Sequence, residues 1–426
     1  MRHSRAYRML YLGQAGTSAA AMVCYVALPY QAYQVSRSSL VVGLLSCADL
    51  VPLLFGGLLG GALADAVERR RLILATQAAA VAGVLLLAAN ALWWGRLWVV
   101  FAASMAVTGA FGLQRPSVEV LVPRLVAHDD LPAASALSGL LGTVANTAGP
   151  LVAGALLLGG LPLAYGVSAA ACLAAAVPQA LMGRHLAGPG AERPSLRGLA
   201  EGVRYATGRQ DLLGTYLIDI SAMLFGVPYA VFPQVAAGLG GPAVLGLLYA
   251  APGLGSLAVS LTSGWTRRVT RHGRAIALAV CGWGGAIAAF GFAPDLPLAT
   301  AALAAAGGAD MVSGLFRMTM WNQSIPARVR GRLAGLEMIS YTAGEPLGNL
   351  ETGAVAALTG SVRLAVVSGG LASIAGAVAV ALALPGLWRY DAGNRRPPDR
   401  ADVAGAATAA AAAAAAAAEP GQQPVA

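Results

Sequence analysis

Twelve apolar runs, each close to the length that crosses a bilayer, leave this chain very few folds. They fall at about 8–34, 39–64, 72–94, 97–123, 134–158, 162–183, 211–237, 242–265, 274–293, 297–323, 333–358 and 363–388. A spanning helix needs roughly 20 mostly apolar residues. Of the 426 residues, 57% are hydrophobic and 11% charged, whereas soluble domains carry about 25% charged residues. One water-soluble core is too small for that much apolar surface, so lipid is the solvent this sequence requires. Glycine and proline recur inside the runs, as lipid-embedded helices tolerate. The expectation is an all-α membrane protein of twelve transmembrane helices.

Charge placement then sets topology. The net charge is +9, and all 28 basic residues are arginine. They sit between apolar runs instead of on a soluble face, which argues against a nucleic-acid partner and for the positive-inside rule. With both termini in the cytoplasm, the arginine clusters near residues 2–8, 69–71, 184–209, 267–274, 328–332 and 389–400 all fall inside. Only Arg37, Arg96 and Arg363 fall outside, while Arg115 and Arg317 stay within helices. The expected location is the cell (inner) membrane. The basic start "MRHSRAYR" leads into an apolar run longer than a signal-peptide core, so it reads as a retained first helix. Cys24, Cys47, Cys172 and Cys281 all lie in apolar runs and read as small core residues. The four histidines are scattered, and no HExxH, GxSxG or P-loop occurs in the inner loops. No enzymatic activity, metal or other cofactor is expected.

Organisation follows from the connections. Residues 1–184 form one six-helix bundle and 211–390 a second, joined by a cytoplasmic linker at 185–210 in which Leu196, Leu199, Val203 and Ala206 recur at the spacing of a short amphipathic helix. The alanine-rich stretch 391–426 reads as a disordered cytoplasmic tail. The bundles carry an ordered series of matches. Gly43-Leu44-Leu45 recurs as Gly246-Leu247-Leu248, Gly61 as Gly264, Pro123 as Pro326, and Pro150 as Pro346 after a register change. Such parallel six-helix repeats, with substrate bound between them near the midplane, are the plan of one large class of transporters.

The stretch Gly61 to Arg71, "GALADAVERRR", resembles the signature loop of the major facilitator superfamily. In that family the loop clamps the two halves together on the cytoplasmic side. The resemblance gives Gly61, Asp65, Arg69, Arg70 and Arg71 a gating role; the plainer alternative is that they anchor topology. Glu68 and Ala66 depart from the family pattern. A second stretch, Ala145 to Gly154, resembles the antiporter element of that family, with Ala145, Gly149, Pro150, Ala153 and Gly154 in its small-residue positions. There it seals the outer side; generic small-residue packing is the alternative. From residue 8 to 388 the chain is similar to the enterobactin-exporter-like and macrolide-efflux-like branch, through "ALPYQAYQVSRSSLVVGLL", "GLLYAAPGLG" and "SIPARVRGRLAGL".

Ionisable residues inside spanning helices are costly and face a cavity or a partner. Here they are Asp49, Arg115, Glu119, Asp219, Asp310, Arg317, Glu337, Glu345 and Glu351. The resemblance makes helices 1, 4, 7 and 10 line the path, and five of these residues lie on them. Arg115 and Asp219 sit at matched depths, within reach of a pair across the halves. Arg115 and Glu119 are one turn apart and able to pair within their helix. Asp219, Glu119 and Asp310, with Asp49 behind them, are the candidates for proton coupling. The family's usual arginine on helix 4 is absent, "SMAVTGAFG" standing in its place. The expected function is export of a siderophore or drug-like small molecule by alternating access with proton antiport, by a monomer; the alternative is an importer or uniporter of a small metabolite.

Overall fold

The computed structural model describes residues 5–182, 204–325 and 327–394; the side chains of 58, 59, 61, 62, 64, 65, 120, 128 and 327–341 lie outside the described set. Twelve long helices follow one another: α1 Arg5–Ser36, α2 Ser39–Ala66, α3 Arg69–Ala89, α4 Leu97–Leu125, α5 Leu131–Leu157 and α6 Leu161–Leu181. After the linker come α7 Gln210–Gly226, α8 Pro242–Leu261, α9 His272–Phe292, α10 Leu296–Ser324, α11 Ala327–Thr359 and α12 Val362–Ala383. Among the described residues ten helical stretches are long and apolar enough to cross a membrane. α1 falls outside that set because Gln14, Thr17, Ser18 and Gln31 dilute its apolar content, and nearly half of α11 lies beyond the described side chains.

Polarity is inverted relative to a soluble protein. Leu85, Leu158, Leu173, Leu181, Leu278 and Leu382 face outward, while Gln31, Gln77, Ser104, Ser168 and Thr215 are buried. Outward apolar surface of that extent belongs in lipid, and the buried polar side chains join helices from within. Gln77 on α3 donates to the Cys172 carbonyl of α6 at 2.9 Å, and Tyr165 on α6 donates to Gln31 of α1 at 2.7 Å.

Packing repeats with a shift of six helices. α1 lies on α6, α2 on α4 and α3 on α6; correspondingly α7 lies on α12, α8 on α10 and α9 on α12. The two six-helix bundles meet through α2 against α11 and α5 against α8, contacts that the same shift interconverts. Duplication of one six-helix unit accounts for this pairing without further assumptions.

The run expected as one helix from 211 to 237 is interrupted. α7 stops at Gly226, Tyr229–Val231 forms a single 3-10 turn, and a short helix Phe232–Leu239 completes the crossing. Pro228 supplies no backbone N–H, and the side chain of Asn349 on α11 accepts the freed N–H of Ala230 at 3.1 Å. Non-helical backbone at membrane depth is stable where protein satisfies it in this way. The expected amphipathic helix of the linker and the alanine-rich tail fall largely outside the described residues.

Candidate functional site

The charges of the second bundle gather between α7 and α10. Arg317 on α10 forms an ion pair through Nη1 with Asp219 on α7, and both side chains are buried. Asp310, two turns earlier on α10, lies within electrostatic reach of both. One turn past Arg317, the Trp321 indole N–H donates to Thr215 at 2.9 Å, and its ring stacks on Tyr216 at 5.2 Å between centroids. Thr215 is one turn before Asp219, so two successive rungs tie α7 to α10.

The pair foreseen across the halves, Arg115 with Asp219, does not form. Asp219 is occupied by Arg317 of its own bundle, and Arg115 bonds Glu119 one turn away, Nε to Oε1 at 2.9 Å. Arg115 and Glu119 are 64% and 62% exposed. Asp49 on α2 accepts from Ser104 on α4 at 2.6 Å. Ser104 opens the segment where the family's arginine was sought, so that carboxylate is held there by a neutral donor.

In the signature loop, Gly61 and Asp65 lie outside the described side chains. Arg69 at the start of α3 is fully buried, while the exposed Arg71 pairs with Glu68 at 3.0 Å. Glu68, the departure from the family pattern, thus neutralises one of the three arginines beside a helix N-terminus. At the same end, Arg209 was missed as an anchor. It grips Asp211 with two bonds of 3.1 and 2.5 Å and donates to the Ser324 carbonyl at 2.8 Å, binding the start of α7 to the end of α10. The Asp211 carboxylate raises the guanidinium above its ordinary range. The signal for it was an acid two residues after an arginine at a helix start.

At the other end of the molecule the bundles touch through backbone. A Cβ on Gly246 of α8 would meet the Pro150 carbonyl of α5 at 2.5 Å and Gly154 Cα at 2.8 Å. Gly43 of α2 lies against the Asn349 carbonyl of α11, and Gly353 of α11 against the Ser39 carbonyl. Within the antiporter-like element, Pro150 and Gly154 stand at this contact, Gly149 lies against Met22 of α1, Ala153 is fully buried and Ala145 is half-buried. Four hydrogen bonds between described residues cross the bundles, all in this half: Ser39 to Gln234 at 2.8 Å, Cys47 to the Pro346 carbonyl at 3.3 Å, Asn349 to Ser46 at 3.4 Å and Tyr25 to Glu345 at 2.7 Å. Toward the arginine-rich end, Cβ atoms built on Gly139 and Gly142 of α5 would meet nothing within 4 Å. Among the described residues, hydrogen bonds seal the bundles together at the Ser39–Thr359 end, and none joins them toward the arginine-rich end.

Two six-helix bundles of apolar helices, joined at one end and holding a buried ion pair between α7 and α10, have the plan of a multi-pass membrane transporter. The profile of the transmembrane secretion effector family matches residues 2–404, and the chain belongs to that family, within the major facilitator superfamily. It is 28% identical over 375 residues to the enterobactin exporter EntS of Shigella boydii serotype 4, spanning 85% of this chain and 88% of that protein. With the enterobactin exporter of Citrobacter koseri it shares 27% identity over 410 residues, 94% of this chain and 95% of that one. Its fold is similar to the POT-family transporter PepTSo, with a TM-score of 0.70 at 12% identity over 91% of this chain and 99% of that one. The nucleoside transporter NupG is equally similar, with a TM-score of 0.70 at 12% identity, 90% of this chain and all of that one. The chain is a transporter of small molecules, not an enzyme.

Proposed function

We propose that this protein exports a siderophore or drug-like small molecule across the inner membrane by alternating access, coupled to proton entry. The observation that carries the reading is the one-ended seal. With the arginine-rich loops in the cytoplasm, the sealed Ser39–Thr359 end faces outward, and in this reading the opposite end parts to admit a cytoplasmic substrate between the bundles. The similarity to enterobactin exporters over most of the chain favours outward transport. Likeness to the peptide and nucleoside transporters is a matter of fold and does not favour uptake.

Asp219 and Asp310 share Arg317 and form the coupling unit of this reading. A proton on Asp310 leaves Arg317 paired with Asp219, so the unit can be loaded and emptied without leaving a bare buried cation. The test is accumulation of enterobactin and of candidate antibiotics in cells with and without the gene. Expression should lower accumulation, and collapse of the proton gradient should abolish the difference. Raised accumulation on expression would mark an importer instead.

A further inference from the structure

Glu345 belongs to none of the charge units above. It lies on α11, half-buried, at the face where the bundles meet, and among the described residues no cation pairs with it. Its one hydrogen bond comes from the Tyr25 hydroxyl of α1, in the opposite bundle, at 2.7 Å. Tyr249 of α8 packs edge-on against Tyr25 with centroids 5.2 Å apart, and Tyr229, from the interruption after α7, packs on Tyr249 at 5.7 Å. From α2, Cys47 donates to the carbonyl of the next residue, Pro346. On α11 itself the next described acid, Glu351, bonds Thr352. Among the described residues the one hydrogen-bonding group on the Glu345 carboxyl is therefore the Tyr25 phenol, with Tyr249 packed behind it and the Cys47 thiol on the neighbouring carbonyl.

We propose that Glu345 is a proton-carrying residue of the sealed end, and that its ionisation, opposed only by the Tyr25 hydroxyl, releases α11 from α1. Closure of the seal encloses the carboxyl among aromatic rings. One hydroxyl does not replace the hydration shell of a carboxylate, so the anion disfavours closure. The neutral acid fits, with its carbonyl oxygen accepting from Tyr25. When the end is open, a proton from outside water bonds to a carboxylate oxygen of Glu345 and the end closes over it. When that O–H bond breaks, the proton passes to water reached from the parted end, and the enclosed anion drives the bundles apart. One proton moves inward for each opening toward the outside. The inference rests on the exporter reading only for what that proton drives.

Two spin labels read the seal directly. Arg37→Cys lies on one bundle and Leu358→Cys on the other, both exposed at the sealed end, in a full-length protein with Cys24, Cys47, Cys172 and Cys281 replaced. In lipid nanodiscs the label separation should lengthen as pH rises from about 5 to about 9, a span that covers carboxylates from solvated to buried. Glu345→Gln should keep the short distance at every pH and lower proton-driven export about tenfold or more, with substrate binding retained. Tyr25→Phe should keep the pH response and move its midpoint. A wild-type distance that ignores pH, or a Glu345→Gln protein that still opens with pH, would overturn the proposal. No gradient enters this measurement, so export that proves independent of protons would end the antiport reading without deciding the role of Glu345.

Discussion

Arg317 serves two carboxylates, and the two substitutions that remove them are not equivalent. Asp219 holds the ion pair directly, whereas Asp310 acts from two turns away. Breaking a buried pair costs about 3–5 kcal/mol when one charge is left bare. Asp219→Asn should approach the lower end of that range, since Asp310 remains to balance Arg317, and Asp310→Asn should cost less. Thermal unfolding in detergent gives the order, and an equal loss for both would mean that Arg317 has no preferred partner. Export should fall with either change if the unit carries the proton. The sequence showed that these charges had to find partners in lipid. It did not show which partner, because Arg115 and Arg317 lie at comparable distances along their helices from the cytoplasmic loops. The choice depends on how far apart the bundles stand, which no local pattern encodes. The partner of Glu345 escaped for the same reason, since Tyr25 lies 320 residues away.

Among the helices, the sealed end depends on the absence of side chains. Gly246 and Gly154 bring α8 and α5 into backbone contact, and Gly43 and Gly353 do the same for α2 and α11. Close approach through small residues replaces the hydrophobic drive that lipid removes. Gly246→Ala places a methyl group 2.5 Å from the Pro150 carbonyl, and overpacking of that kind costs about 1–3 kcal/mol. The methyl is relieved when the sealed end opens, so the variant should shift toward the outward-open form. Gly139→Ala, at the parted end of the same contact line, meets nothing within 4 Å and should leave the balance unchanged or gain a few tenths of a kcal/mol from helix propensity. Labelling of a cysteine at the sealed end would separate the two; equal behaviour would remove the glycines from the gate. The duplicated Gly-Leu-Leu of α2 and α8 was visible in the sequence as a repeat, although its place at both interfaces was not. The break after α7 was missed because Pro228 sits in an otherwise continuous apolar run.

The molecule as a whole was the most legible part, because it follows from solvent. Twelve apolar runs with little charge fit only a bilayer, and the arginine asymmetry leaves one orientation that satisfies most loops. The same asymmetry joins topology to mechanism: in the proposed reading the arginine-rich end is cytoplasmic and is the end that parts to admit substrate. Single cysteines at Arg37 and Arg363 should react in intact cells with a membrane-impermeant maleimide, whereas those at Arg71 and Arg268 should react only after permeabilisation. Reaction of Arg268→Cys from outside would invert the molecule and turn the exporter reading into uptake. Gly139→Cys extends the argument from topology to motion. In inside-out vesicles it should react readily in the parted state, and a transported substrate that carries the protein to its other state should lower that reactivity several-fold as α5 and α8 close over it. Unchanged reactivity with substrate present would mean that the gap at this end is permanent, and a permanent gap is incompatible with alternating access.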